Sequence, residues 1–288
     1  MKKSIVITGV STGIGYATAA ELVKLEYQVF GSVRKVEDGE RLQAELGERF
    51  TPLLFDVTDH EGIKTSVSQV KAAIGDQNLT GLVNNAGISV LGPLMHMDLA
   101  EFRRQFEVNL FGLLDVTQQF LPMLGAYRGA PEPRGRIVMI GSVSGRIAYP
   151  FFGAYAASKH ALEGLSDALR RELIPYGIEV SLVEPGTTQT PIINKASEYT
   201  SHYSDTDYGS ILEKMQTETI AGRQDSAIPV EKVAHIIIDA LQKENPKTRY
   251  PVPRKKLSGW FLPRWLPDRW LDNITASKLG LRWFDKEV

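Results

Sequence analysis

"SIVITGVSTGIGYATAAELVKL", residues 4–25, decides the fold. Ser4–Ile7 is a short β-branched run of the kind that forms a strand. From Ile14 onward the pattern becomes helical, with Ile14, Ala17, Leu22 and Leu25 on roughly one face. Between them lies the glycine-rich turn Thr8–Gly15. Such a turn presents the backbone amides of a helix start to an anion, and its glycines let a pyrophosphate approach closely. Gly9, Gly13 and Gly15 follow a Gly-x3-Gly-x-Gly spacing. A lone glycine triplet also suits a plain tight turn. Its place between a strand and a helix favours a nucleotide, with Gly9, Ser11, Thr12, Gly13, Ile14 and Gly15 as its contacts.

Outward from this unit the chain keeps alternating. "QVFGSV", "TPLLFDV", "GLVNNAG", "RIVMIGS" and "EVSLVEPG" read as strands, and "TRYPVP" as a last edge strand. "GERLQAEL", "HEGIKTSVSQVKAAI", a long stretch over about 99–124, "AYAASKHALEGLSDALRREL" and "VEKVAHIIIDALQK" read as helices. Several strands are continuous apolar runs, as expected where both sheet faces are covered. The pattern predicts an α/β fold, a Rossmann-type doubly wound parallel sheet in three α/β/α layers. Residues 1–252 form the expected catalytic domain, with a polar and aromatic insertion at about 187–229. Residues 253–288 form a basic, tryptophan-rich extension.

Composition is that of an ordinary globular chain: 288 residues, 43% apolar, 23% charged, net charge −1. Nothing in it points to nucleic acid. The absence of cysteine removes disulfides, thiolate nucleophiles and cysteine-bound zinc. His60, His96, His160, His202 and His235 lack ligand spacing, so no metal site is expected. The apolar run after Met1–Lys3 is too short for a signal peptide, and no segment offers about 18 uninterrupted apolar residues. A cytoplasmic protein is the expectation.

The end of the second strand selects the nucleotide. It reads Ser32-Val33-Arg34-Lys35, two cations where a carboxylate would bind a ribose 2′-hydroxyl. Guanidinium pairs well with phosphate oxygens, so Arg34 favours NADP(H); Glu37 and Asp38 keep NAD(H) open. Asp56, at the end of the third strand, could accept from an adenine amino group or cap the next helix, a role Asp59 fills equally well. Asn84 and Asn85 end the fourth strand as cofactor contacts or as a structural polar network.

"AYAASKHALEG", residues 154–164, places Tyr155 and Lys159 one helical turn apart, and none of the other nine tyrosines has a lysine four residues on. Thr-Gly-x3-Gly-Ile-Gly at 8–15, Asn-Asn-Ala-Gly at 84–87, Asn109 in "NLFG", Ser142 in "IGSVSG", Tyr155-x3-Lys159 and Pro185-Gly186 with Thr190 occur in this order. Together they resemble the short-chain dehydrogenase/reductase family from about Ser4 to Tyr250, closest in look to its steroid- and retinol-active branch.

The resemblance implies a general acid/base at Tyr155, with Ser142 hydrogen-bonding the reacting oxygen. Lys159 would lower the tyrosine pKa and hold the nicotinamide ribose, and Asn109 would hold a water linking Lys159 to solvent. It places Asp56, Val57, Asn85, Ala86, Gly87, Pro185, Gly186 and Thr190 on the cofactor with Tyr155 and Lys159. It also implies a substrate lid at 187–229, and a homodimer or homotetramer built through the helices at 99–124 and 155–175.

Substrate class is read from the walls. Val90, Leu91, Met95, Tyr149, Pro150, Phe151 and Phe152 follow two strand ends, and the lid adds Ile192, Ile193, Tyr199, Tyr203, Tyr208, Leu212 and Met215. Apolar walls suit a bulky lipophilic alcohol or ketone. From Pro246 onward ten Lys/Arg stand against four Asp/Glu, and all four tryptophans lie here. That tail suits peripheral membrane contact, a cover over the pocket, or a partner subunit; Pro263 and Pro267 divide it into two short amphipathic segments. The competing functions are a nucleotide-sensing binding protein on the same fold, an NAD-dependent dehydrogenase, and an enzyme whose redox step serves epimerisation or dehydration.

Overall fold

On the first strand Ile5 and Ile7 enter one hydrophobic core and Val6 another, and all three are fully buried. That is why the strand is an unbroken apolar run: both of its faces are covered. The computed structural model describes residues 3–190, 202–215, 227–255 and 260–281. Among them seven strands make one sheet: β1 (Ser4–Ile7), β2 (Gln28–Val33), β3 (Phe50–Leu54), β4 (Gly81–Asn84), β5 (Arg136–Ile140), β6 (Glu179–Pro185) and β7 (Arg249–Val252). Every pairing is parallel, in the order β3-β2-β1-β4-β5-β6-β7.

Helices cover both faces. α1 (Gly13–Lys24), α2 (Val36–Leu46) and α8 (Val230–Gln242) close the core of Ile5 and Ile7 through Leu22, Leu42 and Ile237. α3 (His60–Ile74), α5 (Leu113–Phe120) and α6 (Gly153–Glu172) close the core of Val6 through Ile63, Val116 and Leu162. α4 (Leu99–Phe106) leads into α5, and α7 (Gly209–Lys214) lies in the 187–229 insertion. α9 (Leu262–Trp265) and α10 (Asp268–Leu279) form the tail, parted at Pro267; α10, at 12 residues, is longer than the two short segments expected. The doubly wound three-layer sheet is thus present, and the strand order turns about between β1 and β4, where such folds hold ligands.

Two local expectations change. Leu25 is 49% exposed and sits at the α1 C-cap, because the chain turns away at Glu26, whose φ is 65°. The helix expected over 99–124 is interrupted by a π turn at Glu107–Gly112 and ends in a 3-10 turn at Leu121–Leu124. A π turn adds one residue to the local winding and so rephases the faces on either side. Here it buries Asn109 completely and leaves Phe111 54% exposed. Ile192, Ile193, Tyr199 and Trp283 lie outside the described residues.

Candidate active site

At the β1–β4 switch point two turns are bolted together. Thr8 Oγ1 accepts from the amides of Asn85 and Ala86, each at 2.9 Å, and Asn85 Nδ2 donates to the carbonyls of Thr8 and Gly9 at 2.8 and 2.9 Å. The Gly9 amide donates to Ser32 Oγ at 2.9 Å, which ties in the end of β2. Gly9 takes a left-handed φ of 71° and a Cβ there would lie 3.0 Å from Ala86 Cα. At Gly15 a Cβ would lie 2.3 Å from the Gly9 carbonyl oxygen. Thr12 caps α1 without a side-chain bond, so the opening amides of the helix face the crevice. The close turns and open helix amides have the form that fits a pyrophosphate. The sequence reading named the glycines but missed Thr8 and Ser32, the hydroxyls that fix the loop; their placement at strand ends was the available signal.

Asn84 and Asn85 divide the two roles left open for them. Asn84 turns into the core and donates to Thr117 Oγ1 at 2.8 Å, whereas Asn85 holds the crevice. Asp59, not Asp56, caps α3 by accepting from Gly62 N. Asp56 Oδ1 accepts from the Thr58 amide and hydroxyl, and its Oδ2 lies 3.7 Å from Arg34. Arg34 is 68% exposed at the end of β2, free to turn toward a phosphate. Val57 is buried, and its carbonyl packs where a Cβ on Gly112 would come within 2.4 Å, joining this loop to the π turn.

Ser142, Tyr155 and Lys159 come together as their spacing predicts. Ser142 opens the turn after β5, accepts from the Ser144 amide at 3.0 Å, and sets its hydroxyl beside the Tyr155 phenol. Lys159 is 5% exposed; its Nζ donates to the Ile140 carbonyl at 2.7 Å and lies 5.8 Å from the Tyr155 ring centroid. The expected direction of the tyrosine shift is reversed in the protein alone. Burial pushes the Tyr155 phenol above its ordinary value, with the Ser142 hydroxyl opposing it, and burial pushes Lys159 down to about 8. Desolvation disfavours each charged form, phenolate and ammonium alike.

Asn109 is committed. Its Oδ1 accepts from the Ile88 amide at 2.9 Å, while Nδ2 donates to the Ile88 carbonyl at 3.0 Å and to Ser158 Oγ at 3.3 Å. Both side-chain donor hydrogens are therefore used within the protein. In a regular helix the Leu113 amide would bond the Asn109 carbonyl; after the π turn it bonds Leu110 instead. Pro185 brings its carbonyl to 3.5 Å from Ser142 Oγ, the Gly186 amide is held by Val252, and Thr190 is partly buried.

The loops after β4 and β5 meet above Tyr155. The Gly92 amide donates to the Phe151 carbonyl at 2.9 Å, and Leu94 fills the space that a Cβ on Gly153 would occupy. Tyr203 lies against Gly92, where a Cβ would come within 2.4 Å of its ring. Phe151, Leu212 and Met215 form a small core with Tyr203 and Tyr208, and Leu279 and Leu281 of the tail join it. Val90 and Leu91 are core residues, whereas Leu94, Met95 and Tyr149 are exposed on these two loops.

Behind the triad lies a charge network that sequence reasoning missed. Arg146, at the end of the Ser142 turn, places Nη2 2.5 Å from Glu163 of α6 and Nε 3.7 Å from Glu184 of β6. Arg249 of β7 reaches Glu163 at 3.0 Å and Asp167 at 2.8 Å. Glu163 follows Lys159 by one turn, so the network ties the serine turn to the tyrosine helix. Its signal was Glu184, a lone carboxylate in the apolar strand "VSLVEP". Among the described residues no group of three or more His, Asp or Glu is placed to hold a metal ion.

Residues 3–200 match the family model described as short chain dehydrogenase. An NADPH-dependent 3-dehydrocapnine reductase from Ornithobacterium rhinotracheale is 40% identical over 274 residues, covering 95% of this chain and 96% of its own. Retinol dehydrogenase 5 from Mus musculus is 33% identical over 285 residues, covering 94% and 86%. The crystal structure of a short-chain dehydrogenase from Streptomyces avermitilis superposes with a TM-score of 0.73 at 28% identity, over 97% and 96% of the two chains.

Proposed function

The chain belongs to the short-chain dehydrogenase family, NAD(P)-binding oxidoreductases of alcohols and carbonyls, and we propose that it reduces a lipophilic ketone with NADPH. The observation that carries this reading is half-buried Tyr155 with buried Ser142 and Lys159, beside the exposed loops of Leu94, Met95 and Tyr149 that we read as the apolar mouth. The phosphate cradle at Gly9–Gly15 fits the pyrophosphate, and exposed Arg34 fits the 2′-phosphate. The NADPH dependence in the name of the 3-dehydrocapnine reductase supports the cofactor, and the retinol in the name of the mouse relative is a lipophilic alcohol.

NADPH supplies the hydride when bound. Tyr155, which burial holds in its phenol form, donates its proton to the ketone oxygen as negative charge develops there. Ser142 hydrogen-bonds the same oxygen and stabilises that charge. Lys159 stays cationic below about pH 8, orients the nicotinamide ribose and eases the phenolate that remains. The proton lost by Tyr155 is replaced through Lys159 and a water at Asn109. Residues 1–252 are read as the catalytic domain with its lid and 253–288 as an extension. Exposed Leu99 and Phe111, at 57% and 54%, give the face through which two copies would pair.

The test is cofactor consumption with NADPH and with NADH, against lipophilic ketones, retinal and polar sugars, wild type beside Tyr155→Phe. NADPH-dependent turnover of the lipophilic set, lost by a factor of about 100 or more in the variant, is the expected result. Preference for sugars, or undiminished turnover in Tyr155→Phe, would overturn it.

A further inference from the structure

Trp265 and Trp270 are 85% and 63% exposed, although a cavity of about 640 Å³ lies beneath the segment that carries them. The inner wall of that cavity includes Arg146, Glu163, Asp167 and Arg249, and an indole placed there would have to desolvate them. The tail therefore turns its tryptophans outward. Trp260 behaves differently: it is 4% exposed and lies 5.0 Å beneath the Arg264 guanidinium, anchoring the segment. Phe261, Leu262 and Ile274 extend the outward apolar surface at 51%, 44% and 42% exposure. Trp270 and Ile274, four residues apart, share one face of α10.

Charge surrounds this surface with one sign in excess. Arg254, Lys255, Arg264, Arg269 and Lys278 are exposed there, against Asp268 and Asp272. Indoles favour the boundary between lipid and water, and cations beside them meet anionic headgroups. We propose that the tail seats this face on an anionic lipid bilayer and takes substrate from it. No described helix is long and apolar enough to cross a membrane, so α10 lies along the surface. Leu279 and Leu281, at the far end of the tail, pack into the cluster of Phe151, Leu212 and Met215 beside the mouth. A seated tail thus brings the mouth to the lipid. The uptake of substrate rests on the lipophilic reading above; the seating does not.

The seating is tested without substrate. Full-length wild type and the double variant Trp265→Ser/Trp270→Ser are cosedimented with vesicles of phosphatidylcholine alone or with one-third phosphatidylglycerol. Wild type is expected on the anionic vesicles, with a blue shift of tryptophan emission and weaker binding as salt rises. The double variant should bind about ten-fold more weakly while melting at the same temperature and reducing a short water-soluble ketone equally well. Equal sedimentation of the two proteins, or none at low salt, overturns the proposal. So does a wild-type dimer that the variant splits, which would assign the face to a second copy. A long-chain ketone embedded in vesicles tests uptake, with a KM raised about ten-fold in the variant. Wild type that binds vesicles but reduces only soluble ketones would overturn uptake and the lipophilic reading, leaving the seat.

Discussion

Glu184, wholly buried near the end of β6, sets its carboxyl against that of Glu163 on the helix that carries Tyr155 and Lys159. Glu163 has two guanidiniums close by, Arg146 at 2.5 Å and Arg249 at 3.0 Å, whereas Glu184 has only the Nε of Arg146 at 3.7 Å. The proton of the pair therefore sits on Glu184. Burial first, and Glu163 second, push that carboxyl up to about 8.

This predicts an inverted pH dependence for one acid. Between the ordinary value of 4.5 and about 8 the folded protein keeps a proton that the unfolded chain releases. Stability from this group falls as pH rises through that window and is level on either side. Glu184→Gln removes the slope and keeps a donor for Glu163. Thermal unfolding should show little difference between the proteins near the acid end, with the variant about 3 °C or more the stabler by pH 8. Parallel curves would remove Glu184 as the bearer of the proton.

Lys159 predicts the alkaline limb of catalysis. Its ammonium, pushed down to about 8, is lost before the Tyr155 phenol, which burial moves the other way. The kcat for ketone reduction should fall as pH passes about 8. In Lys159→Arg the guanidinium keeps its charge, so that limb should vanish even if the maximum rate is lower. A limb at the same pH in both proteins would assign it to another group.

Gly15 predicts a loss that comes from space rather than backbone conformation. A methyl there meets the Gly9 carbonyl oxygen at 2.3 Å and Asn85 Nδ2 at 2.5 Å. Gly15→Ala must part the two turns of the crevice. The expected cost is about 1–3 kcal/mol of stability, with NADPH binding weakened about ten-fold or more. Calorimetric titration and chemical unfolding measure the two effects, and unchanged NADPH affinity would mean that the cradle lies elsewhere.

Arg34 predicts cofactor choice. Its exposed guanidinium has only the 3.7 Å contact with Asp56 to give up. A charge-assisted contact to a phosphate is worth roughly 1.5–3 kcal/mol, so Arg34→Ala should weaken NADPH about 10–100-fold. NADH, which lacks the 2′-phosphate, should be almost unaffected. The ratio of kcat/KM for the two cofactors reads this directly, and a constant ratio would refute it.

The strand–turn–helix at 4–25, the alternation that follows, and the Tyr155–Lys159 spacing were all legible because each depends on neighbours within one element. Periodicity reports which side chains share a face, and a helical turn brings residues four apart together whatever else the chain does. The division of labour between Asn84 and Asn85 was not legible, since both possibilities satisfied the same strand end. Nor was the π turn that spends the Asn109 side chain on Ile88, because a single added residue leaves no mark on a helical pattern.

The sequence by itself determined a doubly wound parallel sheet, the glycine loop at its first turn, and the identities and order of Ser142, Tyr155 and Lys159. Tertiary structure alone decided how those groups are charged and what holds them. It buried Lys159 and enclosed Tyr155 enough for desolvation to shift both pKa values, and it brought Arg146, Glu163, Glu184 and Arg249 together from four separate segments. Burial and long-range pairing depend on the whole chain being packed, so no local spacing can encode them in readable form.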